Sequence, residues 1–352
     1  MKNQQLTRIV YNLLEITNLY NNWKSCLPKI KPYYAIKCNP DIGIISHLSK
    51  LGCNFDCASQ NEISLVRSVS ANDIIFANPC KFETEIDFAI NNNVKLTTLD
   101  NINEIPKIEN KNIDCLLRIY SRDITAVCNL DKYGALEIEW DEILRECKNK
   151  KINLKGISFH IGSNARNPEV FKQTIINAAR CFKLARIYDY NMNILDIGGG
   201  FNVLTLKDCA EVINETIDEN FDTNIELIAE PGRYFIETCT DLYTTIIGKR
   251  FRDGIMNYWI SDGIYGSFNC KLYDHKICNP TIDDEMAEKI QCIIYGPTCD
   301  GLDVITEKII YINKNIGDEI KWTNMGAYTF SGACDFNGIN HTKHHVEYLD
   351  NL

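Results

Sequence analysis

The chain has 352 residues, long for one compact domain, so its length favours two domains or one barrel with an addition. With 45% hydrophobic and 24% charged residues it reads as a globular protein, which excludes a disordered or fibrous chain. The formal charge of -10, from 47 acidic against 37 basic side chains, argues against nucleic acid or an anionic membrane surface as the main partner and favours a cationic ligand.

The opening MKNQQLTRIVYNLLEI has neither a clean apolar core nor a small-residue cleavage site, and no apolar run of about 18 residues follows, so a cytosolic location is expected. RIVYNL (8–13) reads as a strand and ITNLYNNWKSC (16–26) as a helix. Short apolar or β-branched runs then recur at 33–37, 54–57, 73–77, 95–99, 115–119, 156–160, 194–197 and 225–229. The gaps carry helix-like patterns, such as IGIISHLSKL (42–51), NEISLVRSV (61–69) and PEVFKQTIINAARCFKLARIY (168–188), with apolar residues at every third or fourth position. This alternation predicts an α/β fold, a TIM-like (β/α)8 barrel over residues 13–240. Beyond it the pattern changes to strand-like runs between turns: LYTTIIGKR, NYWIS, QCIIYG, VITEKIIYI, DEIKW and AYTF. Together with the first dozen residues these predict a mostly antiparallel β-sandwich or barrel domain, built from 1–12 and 241–352.

The 16 cysteines are scattered and read as reduced thiols. Cys53 and Cys57, spaced C-x3-C without a second pair, do not read as a zinc site, so no metal is expected. The terminal HTKHH (341–345) reads as a solvated tail segment.

Barrel active sites lie at the C-terminal ends of the strands. Lys37, Asp56, Arg118, His160, Gly198, Gly199, Gly200 and Glu230 all fall at or just after such ends. With AEPGRY (229–234) and GPTCDGLD (296–303), they supply the parts that pyridoxal-phosphate (PLP) chemistry needs. One part is a lysine able to form a Schiff base. Lys37 fits that role, the alternative being a surface lysine that ends a strand. Another is a phosphate cradle, and three successive glycines let backbone N–H groups approach an anion closely, although GGG also suits a tight turn. Arg233 and Ser163 would add a charge-assisted and a hydroxyl contact. Glu230 would keep the pyridine nitrogen protonated, or else form a barrel-end salt bridge with Arg233. His160 would stack on the cofactor ring, or else be a satisfied core histidine.

The segments YAIKCN, FDCAS, ANPCK, LRI, SFHIGS, DIGGGF, AEPGRY, DGIYGSFNC, YDH, GPTCDGLD, NMGAYT and FNG occur in this order. In this the chain resembles, over nearly its whole length, the eukaryotic-type ornithine decarboxylases, within the PLP group that shares the alanine-racemase-like barrel. The resemblance implies decarboxylation of L-ornithine to putrescine and CO2 in polyamine biosynthesis. It implies that Lys37 is the Schiff-base lysine, Glu230 the partner of the pyridine nitrogen and His160 the ring-stacking residue. Ser163, Gly198, Gly199, Gly200, Gly232, Arg233 and Tyr328 would bind the cofactor around its phosphate. Asp56, Glu62, Arg118 and Lys132 would support the cofactor and the dimer contact. Cys299 would direct reprotonation of the carbanion, Asp300 and Asp274 would receive the distal ammonium of a basic amino acid, and Tyr265 and Phe336 would line the pocket. A head-to-tail homodimer is implied, with the CDGLD loop reaching across to the partner's barrel.

YDH, with its short Asp274, and CDGLD in place of a CES-type loop favour ornithine over arginine or diaminopimelate. Lysine, or a dual lysine/ornithine substrate, stays open, because one methylene changes binding by only about 1–3 kcal/mol. A different class is a non-catalytic regulator like the antizyme inhibitors, which lose catalytic or cofactor positions. Lys37, His160, Glu230, Arg233, Cys299 and Asp300 all stand, which weighs against it. Antizyme is a further partner that the resemblance raises without assigning. The family's FNGF is FNGI here, which alters the edge of the pocket, and the absence of a long C-terminal tail puts regulation by turnover in doubt.

Overall fold

A computed structural model describes residues 7–126, 130–341 and 344–350. These form two compact units, one of Thr17–Phe235 and one of the described residues on either side of that stretch. In chain order, β1 (Thr7–Asn12) and α1 (Leu13–Cys26) come first. The barrel elements follow: β2 (Ile30–Ala35), α2 (Ile42–Leu51), β3 (Asn54–Cys57), α3 (Gln60–Arg67), β4 (Ile74–Phe76), α4 (Glu83–Asn91), β5 (Leu96–Leu99), α5 (Ile105–Ile108), β6 (Asp114–Arg118), α6 (Glu137–Asn149), β7 (Leu154–Ser158), α7 (Pro168–Ile187), β8 (Ile194–Asp196), α8 (Leu206–Asn220), β9 (Glu226–Ala229) and α9 (Arg233–Ile236). Strands β2 to β9 are parallel, and β9 returns to β2 through Pro32↔Ala229, which closes the barrel.

Local chemistry sets these elements. Helix α2 starts where the Asp41 carboxylate accepts the N–H groups of Gly43 and Ile44, buries Ile44, Ile45 and Leu48, and stops at Gly52 with φ 92°. Helix α7 begins with Pro168 after its Asn167 cap and turns Phe171, Ile175, Ala178 and Phe182 inward. Tyr33, Ile75, Leu116 and Ile228, from β2, β4, β6 and β9, pack together inside the barrel, so it is a filled core. Each such aliphatic side chain contributes about 1.5–3 kcal/mol by leaving water. The first barrel strand lies earlier than the sequence pattern suggests. It ends at Ala35, whose N–H donates to the Pro231 carbonyl, and Ile36–Cys38 forms a 3₁₀ turn.

In the second unit, β10 (Thr240–Arg252), β11 (Ile255–Ile260), α10 (Cys270–Tyr273), β12 (Lys289–Tyr295), β13 (Val304–Ile312), β14 (Glu319–Trp322) and β15 (His345–Leu349) follow. The sheet order is β13-β12-β11-β10-β1-β15, with β14 also on β10. Most pairs are antiparallel, but β1–β15 and β11–β12 are parallel. A register break between Ile246 and Gly248 lets the long β10 serve β1 and β14 at one end and β11 at the other.

Two expectations fail here. AYTF is not a strand: Tyr328 has φ 53° and Phe330–Gly332 is a 3₁₀ turn, a left-handed step that strand pairing does not allow. The HTKHH segment is not a solvated tail, although its Thr342 and Lys343 lie outside the described residues. His341 is 2% exposed beside Asp262, and His345 opens β15 opposite Arg8, so the backbone there is tied into the sheet. No helix among the described residues is long and apolar enough to cross a membrane.

Candidate active site

One group of expected residues lies at the C-terminal ends of the barrel strands. In the turn after β2, Ile36 and Cys38 are buried and flank Lys37, whose Nζ lies 2.7 Å from Asp56 Oδ2. Asp56 is 1% exposed on β3, and its other oxygen, Oδ1, has no hydrogen-bond partner among the described residues. Ser59 caps α3, and Glu62 Oε2 accepts the Ala58 N–H at 2.6 Å, with burial raising the Glu62 pKa. Arg118 ends β6, buried, with its guanidinium 5.2 Å from the Tyr133 ring centre. Lys132 Nζ lies 4.9 Å from the same ring centre.

His160 follows β7. Its Nδ1 accepts the Gly162 N–H at 3.0 Å, so the neutral ring carries its proton on Nε2. Burial, then the charges of Arg118 and Lys37, hold its pKa well below the ordinary range. The glycine triplet is required by space. A Cβ on Gly199 would come within 2.6 Å of His160 Nε2 and 2.8 Å of the Glu230 carbonyl, while one on Gly198 would meet the Phe159 carbonyl at 2.0 Å. Gly198 and Gly200 also have φ 63° and 114°, which favour glycine. Gly232 packs its backbone on the Lys37 turn, with 2.9 Å from its missing Cβ to Cys38 Cβ. Next to it, Arg233 Nη2 donates to Ser163 Oγ at 3.2 Å.

Glu230, just past β9, faces a residue that motif reasoning passed over. Asp196 ends β8, fully buried, and accepts the Gly198 N–H at 2.8 Å. Burial and the neighbouring carboxyl groups Asp196 and Asp56 push Glu230 well above the usual carboxylate range, and Asp196 is raised to about 7, chiefly by burial. The charge of Asp196 disfavours a second buried anion at Glu230, so the pair favours keeping a bound proton. Glu230 Oε1 is left without a partner among the described residues. The signal for Asp196 was present, since it stands two residues before the glycine triplet.

The second unit carries the other group of expected residues. The Tyr265 and Phe336 rings stack at 4.1 Å and 16°, and the Tyr265 hydroxyl donates to Asp300 Oδ2. Asp300 also accepts the Leu302 N–H at 3.0 Å; that bond and the Tyr265 hydroxyl lower its pKa. Cys299 is exposed, and its N–H donates to Asn337 Oδ1 at 3.1 Å. This loop hangs on Asp303, another residue the motif reading left without a role. Its carboxylate accepts the Ile264 N–H at 2.9 Å, the Thr298 N–H at 3.0 Å and the Thr298 hydroxyl at 2.6 Å. Gly296 and Gly263 make room for it: a Cβ on either would lie 2.0 or 2.4 Å from Asp303 Oδ1. Asp274, 6% exposed, follows α10 on a separate loop, and Tyr328 occupies its left-handed position beyond β14.

The family profile described as "Pyridoxal-dependent decarboxylase, pyridoxal binding domain" matches residues 13–237. The chain belongs to the pyridoxal-dependent decarboxylases. This decarboxylase is 40% identical to the chloroplastic ornithine decarboxylase of Nicotiana glauca, over 94% of this chain and 81% of that one. Among solved structures it superposes on the arginine decarboxylase of Paramecium bursaria Chlorella virus with a TM-score of 0.94 and 32% identity, covering 99% and 96% of the two chains. It is also similar to the lysine/ornithine decarboxylase of Vibrio vulnificus complexed with cadaverine, with a TM-score of 0.91 and 28% identity, covering 99% and 96%.

The residues present fit pyridoxal phosphate, the cofactor of this decarboxylase. Buried carboxylate oxygens at Asp56 and Glu230 lack partners among the described residues, and the glycine triplet brings bare backbone against His160 and Glu230, where no side chain has room.

Proposed function

We propose that this decarboxylase converts L-ornithine to putrescine and carbon dioxide. The observation that carries the substrate reading is the Asp300 carboxylate, fixed by Tyr265 and Leu302 beside Cys299 and biased towards its ionised form. An ammonium within about 4 Å of it gains on the order of 4 kcal/mol at an effective dielectric near 20, before desolvation, so a neutral side chain is rejected. Asp274 is the second acceptor. Ornithine decarboxylases of plants and animals at 37–40% identity support this choice of amine. Lysine, alone or beside ornithine, is the second reading, supported by the similarity to the lysine/ornithine decarboxylase of Vibrio vulnificus, and arginine, the substrate named for the viral relative, comes after it.

When bound, the coenzyme supplies the sink for the electron pair that carbon dioxide leaves behind. Lys37 would anchor it, held in place by Asp56. Ser163, Gly198, Gly199, Gly200, Gly232, Arg233 and Tyr328 would hold its phosphate. His160, neutral, would offer a ring face, and Glu230, with its raised proton affinity, would hold a proton at the pyridine nitrogen. Cys299 would return a proton to the carbon that lost the carboxylate. The same reading makes the enzyme a cytosolic head-to-tail homodimer, with the Cys299–Asp300 loop serving the partner's barrel.

The test is to give purified protein and PLP ornithine, lysine, arginine or diaminopimelate, measuring carbon dioxide and the amine formed. Putrescine is expected to predominate. Predominant agmatine overturns the substrate reading and spares the cofactor assignment, and release from none of the four sinks the catalytic reading.

A further inference from the structure

The loop that carries Asp274 is closed by two cysteines that no step above uses. Cys270 opens α10 and Cys278 follows the turn, and their sulfurs lie 3.8 Å apart, both buried. The loop is a compact unit, because the Cys270 carbonyl accepts the N–H groups of both Asp274 and Lys276 at 3.0 and 3.1 Å. Beyond it, Lys276 Nζ pairs with Glu237 Oε1 at 2.8 Å, and Pro280 bridges to Trp322. A cleft of about 160 Å³, lined by Lys276, Cys278, Trp322 and Met325 among others, opens on the Cys278 side.

From this geometry we infer that Cys270 and Cys278 form a reversible disulfide by exchange with a low-molecular-weight disulfide, and that the cross-link changes how Asp274 is held. The effect on catalysis rests on the reading of Asp274 as an acceptor of the substrate's distal ammonium.

Roles divide between the two sulfurs. Cys278 lines the cleft and is 6% exposed, with the charges of Lys276 and Lys271 near to favour its thiolate, whereas Cys270 is fully buried, which disfavours its ionisation. In the first step Cys278 sulfur attacks one sulfur of the small disulfide, whose other half leaves as a thiolate. In the second, Cys270 gives its proton to that thiolate and attacks the Cys278 sulfur, expelling the remaining half, which leaves as a thiol after taking a proton from solvent. Two protein thiols are oxidised and one small disulfide is reduced to two thiols. The sulfurs must close from 3.8 Å to about 2.05 Å, which draws the two ends of the Asp274 loop together.

The experiment uses the PLP-loaded enzyme and oxidised glutathione. After treatment, free thiols are alkylated and the digest is mapped by mass. The expected result is a Cys270–Cys278 linked peptide two hydrogens lighter than its reduced form, which dithiothreitol removes. With it kcat/KM for ornithine should fall about tenfold or more, the scale expected when a substrate contact moves by about 1 Å. Cys278→Ser receives the same treatment, so that modification of exposed Cys299, common to both proteins, cancels in the comparison. Full alkylation of both Cys270 and Cys278 after treatment would overturn the proposal. A cross-link that leaves kcat/KM equal to that of treated Cys278→Ser would overturn its catalytic half. If Cys278→Ser does not fold, recovery of kcat/KM in the wild-type enzyme in step with loss of the linked peptide decides. Inactivity on ornithine before any oxidant sinks the substrate reading, and the mass map still judges the disulfide.

Discussion

At the residue scale, the charge state of the barrel mouth is set by carboxyl groups that water cannot reach. Asp196 and Glu230 both bind protons more tightly in the fold than in the unfolded chain, where carboxyls titrate near pH 4. The stability they contribute is therefore present in full below about pH 4 and is lost as pH rises from there through the folded value, about 7 for Asp196. Replacing Glu230 by Gln leaves one carboxyl where two competed. In cofactor-free protein, the variant should gain on wild type between pH 5 and pH 8, by up to about 1.4 kcal/mol per pH unit while one group titrates. Thermal melts at both pH values check this, and an equal difference at the two would refute the bound proton. Lys37 and Asp56 were legible from the motif because a lysine at a barrel strand end is chemically conspicuous. Asp196 was not, since a buried aspartate near glycines looks like an ordinary turn former until its neighbour at the end of the adjacent strand is known.

At the scale of elements, the Cys299–Asp300 loop is held from beneath by one buried carboxylate. Gly296→Ala would put a methyl 2.0 Å from Asp303 Oδ1 and force that carboxylate away from Ile264 and Thr298. Overpacking of this kind costs about 1–3 kcal/mol. The expected outcome is a steep loss of kcat with PLP absorbance retained, because the barrel residues are untouched; unchanged turnover would show that Asp303 does not position the loop. The barrel strands and α2 were readable because period and capping residues agree, as Asp41 and Gly52 do at the two ends of α2. AYTF and HTKHH were misread for opposite reasons. In the first, β-forming side chains sit on a backbone bent by the left-handed Tyr328; in the second, polar side chains hide a strand whose stability comes from pairing with β1.

At the scale of the whole molecule, the expected residues fall into two sets on two separate units: Lys37, His160 and Glu230 on one, Cys299 and Asp300 on the other. If the proposed homodimer shares its sites, Lys37→Ala and Cys299→Ala subunits should be inactive alone and recover about a quarter of wild-type activity when mixed in equal amounts, as expected if random pairing makes half the dimers mixed and each mixed dimer holds one complete site. Heterodimers shown to form yet remaining inactive would refute the shared site. The placement of β1 has a further effect, on synthesis. Its sheet partners, Thr240–Thr244 and His345–Leu349, leave the ribosome only after the barrel sequence, so the edges of this early strand wait unpaired while the barrel is translated. A circularly permuted gene that begins within the barrel and joins β15 to β1 through a linker would shorten that wait, and should raise the yield of native enzyme from rapid translation.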